Sequence, residues 1–101
     1  MLEKNFQRLV NKYLTELDID YFHEMARTGK RQNKNDGWPD LFIFLPGAYT
    51  LFIELKAEDG KLEDNQIIKH ERLKKLGFRV ITCYPAQLEQ ILEEVAERKT
   101  K

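Results

Sequence analysis

Asp40, Glu54 and Lys56 are of types and at spacings that could do chemistry. All three lie in the stretch DGWPDLFIFLPGAYTLFIELK, positions 36–56. Asp40 opens the apolar run LFIFL, while Glu54 and Lys56 close the run TLFI, with Pro46-Gly47-Ala48 between them. Ionised groups at the ends of buried strands cost several kcal/mol unless something compensates them. One compensation is a structural Asp–Lys–Glu triad, in which the lysine offsets the repulsion between the carboxylates. The other is a divalent cation. Hard oxygen ligands suit Mg2+ or Mn2+, which take one or two carboxylates and keep positions open for water and phosphate. Such an ion lowers the pKa of bound water and polarises a phosphoryl oxygen. A lysine beside it could orient or deprotonate an attacking water, or offset charge in the transition state.

Whether the three residues meet depends on strand register. A three-residue hairpin loop at 46–48, a common length, makes Leu45 face Tyr49, Phe42 face Phe52 and Asp40 face Glu54. Directly opposed residues share a face, with Cβ atoms roughly 4.5–5.5 Å apart. The period of two puts Lys56 on that face beside Glu54. A slip of one residue would separate the carboxylates. The apolar character of both runs predicts a hairpin packed on both faces.

The surrounding chain supplies the elements that must hold this hairpin. Leu2, Phe6, Leu9, Val10, Tyr13, Leu14 and Leu17 recur at steps of three and four, the stripe of an amphipathic helix. Asp18 to Met25 reads as a short strand. ARTGKRQNKNDG, polar and bearing glycines, reads as a loop. AEDGKLEDNQ is a turn into a second helix, with Asp64 as N-cap and Ile67, Ile68, Glu71, Leu73 and Leu76 running on to a capping Gly77. FRVITCY is β-branched and aromatic, a further strand. Pro85 starts a last helix with Leu88, Ile91, Leu92 and Val95 on its apolar face, and the tail 98–101 is expected to fray. The order is α-β-β-β-α-β-α: an α/β fold with a mixed sheet flanked by helices, whose unit from Tyr49 to Tyr84 forms a parallel crossover.

Composition narrows the function classes. At 101 residues the chain has room for one core, and 42% apolar with 34% charged residues is ordinary for a folded domain. Formal net charge is zero, so attraction to a polyanion must come from local clustering. Arg27, Lys30, Arg31 and Lys34 supply such a cluster, set against Asp36 alone, and are candidate phosphate contacts that would neutralise backbone charge without reading sequence. No apolar run approaches the roughly 20 residues of a bilayer span. The opening MLEKNFQRLV lacks the apolar core of a signal peptide, so a cytoplasmic location is expected. Metal-binding Cys/His spacings and a Gly-rich phosphate loop are both missing from the sequence.

Other residues have bland readings beside the chemical ones. Cys83 is the single cysteine and reads as a small core residue. His23 reads as structural, and Trp38 as packing beneath the turn before Asp40 rather than stacking on a base. His70 lies one turn beyond Gln66 and could share its face in a phosphate contact; the plainer reading is a solvated surface histidine. Gln66 by itself is a first-turn helix residue. Glu89, Glu93, Glu94 and Glu97 make the last helix acidic and read as a solvated face turned away from any polyanion.

Gly37-Trp38-Pro39-Asp40, a hairpin, and then Glu54-Leu55-Lys56 resemble the motif of the PD-(D/E)XK nuclease superfamily. With a helix bearing Gln66 after the Glu-x-Lys, and Leu76-Gly77-Phe78 leading to a strand, the chain looks like the VRR-NUC branch, the virus-type replication and repair nucleases. The resemblance covers nearly the whole chain and implies a restriction-endonuclease-like core in a single stand-alone domain, residues 1–101. It implies that Asp40, Glu54 and the backbone carbonyl of Leu55 bind Mg2+ or Mn2+. It also implies that Lys56 serves the nucleophilic water, and that Gln66 positions Lys56 or the scissile phosphate. Family members add a glutamate from the first helix, for which Glu3 is the candidate. Further implications are a branched DNA substrate such as a Holliday junction, a homodimer, no small-molecule cofactor, and a bacterial or phage-infected cell. Two rival readings are a catalytically silent DNA-binding module and a small α/β interaction domain with a structural Asp–Glu–Lys cluster.

Overall fold

The computed structural model describes residues 2–24 and 37–100. Chain order is α1 (Glu3–Glu16), β1 (Asp20–His23), β2 (Leu41–Leu45), β3 (Tyr49–Leu55), α2 (Asp64–Lys75), β4 (Arg79–Cys83) and α3 (Leu88–Lys99). This is the expected α-β-β-β-α-β-α succession. The four strands form one sheet in the order β1-β2-β3-β4. β1 and β3 flank β2 antiparallel, and β4 joins β3 in parallel, as a strand–helix–strand crossover requires.

The hairpin register follows the loop. Leu45 pairs with Tyr49, Phe42 with Phe52 and Leu41 with Ile53, so the next position of the ladder sets Asp40 against Glu54. The loop closes through two residues with positive φ, Gly47 at 79° and Ala48 at 58°. The second glycine-like position is filled by alanine at some cost in backbone strain.

Alternation along the strands divides the side chains between two layers. Leu41, Ile43 and Leu45 of β2 and Leu51, Ile53 and Leu55 of β3 point to one face. There they meet Phe6, Val10 and Leu14 of α1 and Ile91 and Val95 of α3 in the main core, with Cys83 buried among them. The opposite face carries Phe42, Phe52 and Val80, packed under Leu73 of α2. Phe52 sits edge-on to Phe42 at 4.9 Å and to Phe78 at 5.2 Å between ring centroids, a preferred aromatic geometry.

Several boundaries and faces differ from expectation for physical reasons. β1 starts at Asp20 rather than Asp18, because Asp18 takes φ of 57° to turn the chain out of α1. The N-cap of α2 is Glu63, not Asp64: Gln66 at the third helical position accepts the Glu63 N–H through Oε1 at 2.8 Å. Pro85–Gln87 forms a 3-10 turn before α3, and the helix runs on through Lys99 into the segment expected to fray. The Lys99 ammonium donates to the Asp18 carbonyl there. Packing on both faces holds for β3 alone. α2 covers the β3–β4 side of its face, leaving Phe44 of β2 and Phe22 of β1 at 46% and 51% exposure. The largest surprise is α2 itself. It turns His70 and Leu73 inward and leaves Ile67, Ile68 and Leu76 in solvent.

Candidate nuclease site

Glu54 stands at the centre of the site. The alternation of β3 puts it on the α2 face with Phe52, and α2 closes over it until 2% of its surface is exposed. Gln66 Nε2 donates to Oε2 of Glu54 at 3.1 Å, and Lys56 Nζ lies 3.7 Å from the same oxygen. His70 Nε2 stands 3.8 Å from the other oxygen, Oε1. Asp40 is fixed from the backbone of the facing strand, its Oδ2 accepting the Leu55 N–H at 2.9 Å. Across the sheet, the Asp40 carbonyl accepts the Glu24 N–H at 2.6 Å. The turn after β3 folds against the Lys56 stem, and Tyr84 Oη holds that turn by donating to the Gly60 carbonyl at 3.0 Å.

The turn before Asp40 is pressed against α2. Gly37 takes φ of 84°, and a Cβ on it would lie 2.2 Å from the carbonyl oxygen of Asn65. Only glycine fits a left-handed backbone at such close approach. This contact joins the Gly-x-Pro-Asp turn to the first turn of the helix carrying Gln66. Trp38 packs at the same seam, 6.4 Å from the Phe42 ring, with Lys69 Nζ 4.4 Å above its centroid.

The electrostatics are those of a cluster short of positive charge. Burial, then the charge and hydrogen bond of Asp40, push the Glu54 carboxyl up to about 8, with Lys56 offsetting part of the rise. Burial also raises the Asp40 carboxyl, against the lowering effect of the Leu55 N–H. Glu3, the first residue of α1, has its carboxyl raised by burial and by Asp40, so it senses the site from the other layer. His70 is lowered by burial and then by Lys74 and Lys56. His23 is lowered by burial while Asp40 opposes the shift, and its Nδ1 meets Asn11 Nδ2 at 3.2 Å.

Asp40, Glu54, Lys56 and Gln66 therefore lie together, with the Leu55 peptide between the two carboxylates. Arg27, Lys30, Arg31 and Lys34 lie outside the described residues. His70 is a correction: it is 3% exposed and faces Glu54, not solvent. Its spacing of four from Gln66 was the available signal, since the two share a helix face. Gln66 is more than a first-turn residue, because it caps α2 and holds Glu54 with one amide.

Among the described residues no group of three or more His, Cys, Asp and Glu side chains converges as a ready metal cage. What the site offers is the two facing carboxylates of Asp40 and Glu54. Oε1 of Glu54 is buried with no hydrogen-bond partner among the described residues. That donor set fits a hard cation that keeps most of its water: it has charge to neutralise and an oxygen to spare.

Comparison with known proteins agrees with the fold. Residues 1–87 match the model of the VRR-NUC domain family. A phage protein from Acyrthosiphon pisum secondary endosymbiont phage 1, named "Putative nuclease p44", is 37% identical over 59 residues. The match spans 58% of this chain and 63% of that protein, less than two thirds of its length. A solved structure titled VRR_NUC domain superimposes with a TM-score of 0.69 at 25% identity, covering 92% of this chain and 96% of its own. A second, a VRR_NUC domain protein, also gives 0.69, at 22% identity over 99% and 89% of the two chains, a likeness of fold alone. With a match over most of its length and the expected fold around Asp40, Glu54 and Lys56, the chain belongs to the VRR-NUC domain family.

Proposed function

We propose that this domain is a divalent-metal-dependent DNA endonuclease. The observation that carries the reading is the pairing of Asp40 with Glu54, whose carboxyl is pushed up to about 8 by burial and then by the charge of Asp40. Asp40, Glu54 and the Leu55 carbonyl would hold Mg2+ or Mn2+, which supplies Lewis-acid polarisation of a phosphate and an acidified water. The Leu55 N–H keeps Asp40 turned toward the facing strand, and Gln66 keeps Glu54 from rotating. Lys56 stands on the same face, where its ammonium orients the attacking water and offsets charge gathering on the phosphoryl oxygens. Attack of the water oxygen on phosphorus forms one P–O bond and breaks the bond to O3′. The 3′ oxygen takes up a proton, leaving a 3′-hydroxyl and a 5′-phosphate.

Finer parts of the proposal concern substrate and assembly. Preference for branched DNA, with a role in replication, recombination or repair, and action as a homodimer follow the family resemblance. The basic residues between β1 and Gly37 would contact phosphates. Phe22 and Phe44, uncovered on the α2 face, give a second copy apolar surface to bury. The test is cleavage of labelled junction, flap, single-stranded and duplex DNA with Mg2+ or Mn2+. Asp40→Ala and Glu54→Ala are expected to abolish cutting while circular dichroism stays unchanged. Variants that cut as fast as the parent would sink the proposal, and sedimentation at several concentrations decides the dimer.

A further inference from the structure

His70 is a buried polar side chain at the site to which the proposed reaction gives no task. It stands one turn beyond Gln66 on α2, so the two side chains approach Glu54 from the same helix face. Gln66 takes Oε2, and Oε1 is left facing His70 Nε2 across 3.8 Å. Neither of these two atoms has a hydrogen-bond partner among the described residues, and the residues that carry them are 2% and 3% exposed. A native fold pairs nearly all such atoms. Two orphans facing each other are therefore a feature to be explained rather than a surface accident. The separation is longer than a hydrogen bond of roughly 2.7–3.2 Å, so the contact is open in this state. Lys56, just after β3, and Lys74 and Glu71 from α2 itself are the other charged groups acting on the ring.

We propose that His70 is a positioning residue for Glu54. It donates from Nε2 to Oε1 when a divalent cation is bound, so that Gln66 and His70 together fix both oxygens of the carboxylate. A carboxylate has lone pairs enough to accept both donors and still bind an ion, and partners that orient metal ligands govern affinity as well as rate. The inference rests on the divalent-cation reading above, but Mn2+ binding tests it without DNA or turnover.

The experiment is calorimetric titration of the DNA-free protein with Mn2+, using the parent, His70→Gln and His70→Leu. His70→Gln retains a donor, whereas His70→Leu fills similar space without one. Leucine is expected to weaken Mn2+ binding about tenfold to a hundredfold, and glutamine to stay within about threefold of the parent. The melting temperature of metal-free His70→Leu should match or exceed the parent's, since the variant removes an unpaired buried atom. Equal affinity in parent and His70→Leu would overturn the proposal, as would equal losses in both variants. Nitrogen-15 NMR of the Mg2+-loaded parent needs no variant: an Nε2–H tautomer is expected, and an Nδ1–H tautomer or a nitrogen bound directly to the ion would overturn it. A parent that binds no divalent cation would overturn the proposed function along with this inference. Normal parent binding with an unaffected His70→Leu would overturn this inference alone.

Discussion

Gln66 Nε2 donates to Oε2 of Glu54 at 3.1 Å, and the other end of the same amide accepts the Glu63 N–H at 2.8 Å. The helix cap thereby decides which end of the amide meets the carboxylate. Gln66→Glu keeps an acceptor for the cap but sets a third carboxylate against Glu54. Cleavage is expected to fall about a hundredfold or more, with helix content by circular dichroism unchanged. A parental rate in this variant would show that donation to Glu54 is not used.

The raised carboxyl of Glu54 has a pH signature. Glu54 titrates near 4.5 as an isolated group and at about 8 in the fold, so the native state holds a proton that the unfolded chain releases. Its contribution to stability is full below about 4.5 and is lost as pH rises toward about 8. The metal-free melting temperature is expected to fall between pH 5 and pH 8, and Glu54→Gln to flatten that fall. Because an incoming cation must displace the proton, Mn2+ should raise the melting temperature more at pH 8 than at pH 6. A parent and a Glu54→Gln variant with the same profile over this window would refute the assignment.

Gly37→Ala tests the seam between the motif turn and α2. The new methyl meets the Asn65 carbonyl at 2.2 Å on a backbone with φ of 84°. Strain and overpacking together are expected to cost about 2 kcal/mol or more. For a domain of this size that lowers the melting temperature by roughly 10 °C. Scanning calorimetry reads it directly, and an unchanged melting temperature would mean that the turn does not press on the helix.

Lys56→Met keeps the aliphatic stem that packs beside Gly60 and removes the charge 3.7 Å from Glu54. Single-turnover cleavage at saturating Mn2+ is expected to slow about a hundredfold or more. Affinity for Mn2+ should hold or improve, because a competing cation has gone. Loss of metal binding with an unchanged saturated rate would reverse the role assigned to the lysine.

How far the sequence carried differs between the two sides of the site. The facing of Asp40 and Glu54 was legible because a three-residue loop and the period of two leave a single register that keeps Leu41, Ile43, Leu51 and Ile53 in the core. The α2 side was not. Hydrophobic periodicity places Ile67, Ile68 and Leu76 inward, whereas the structure buries His70 and leaves those three exposed. Periodicity assumes that the buried face is apolar, and it fails where a helix covers a polar cluster. Asp64 looked like the cap because its type suits the position, but the back-bond from Gln66 moves the cap to Glu63.

That inverted helix has a consequence for how the domain opens. α1 brings Phe6, Val10 and Leu14 to the main core, whereas α2 brings Leu73 as its one buried apolar anchor and relies otherwise on Gln66 and His70. Elements with few buried apolar contacts sit at the low-stability end of a protein's cooperative units. Amides of α2 will exchange with solvent well before those of α1, through excursions that undock the helix and leave the hairpin and its two helices in place. Each excursion takes Gln66 off Glu54, so assembly of the site and the local folding of one helix are a single equilibrium.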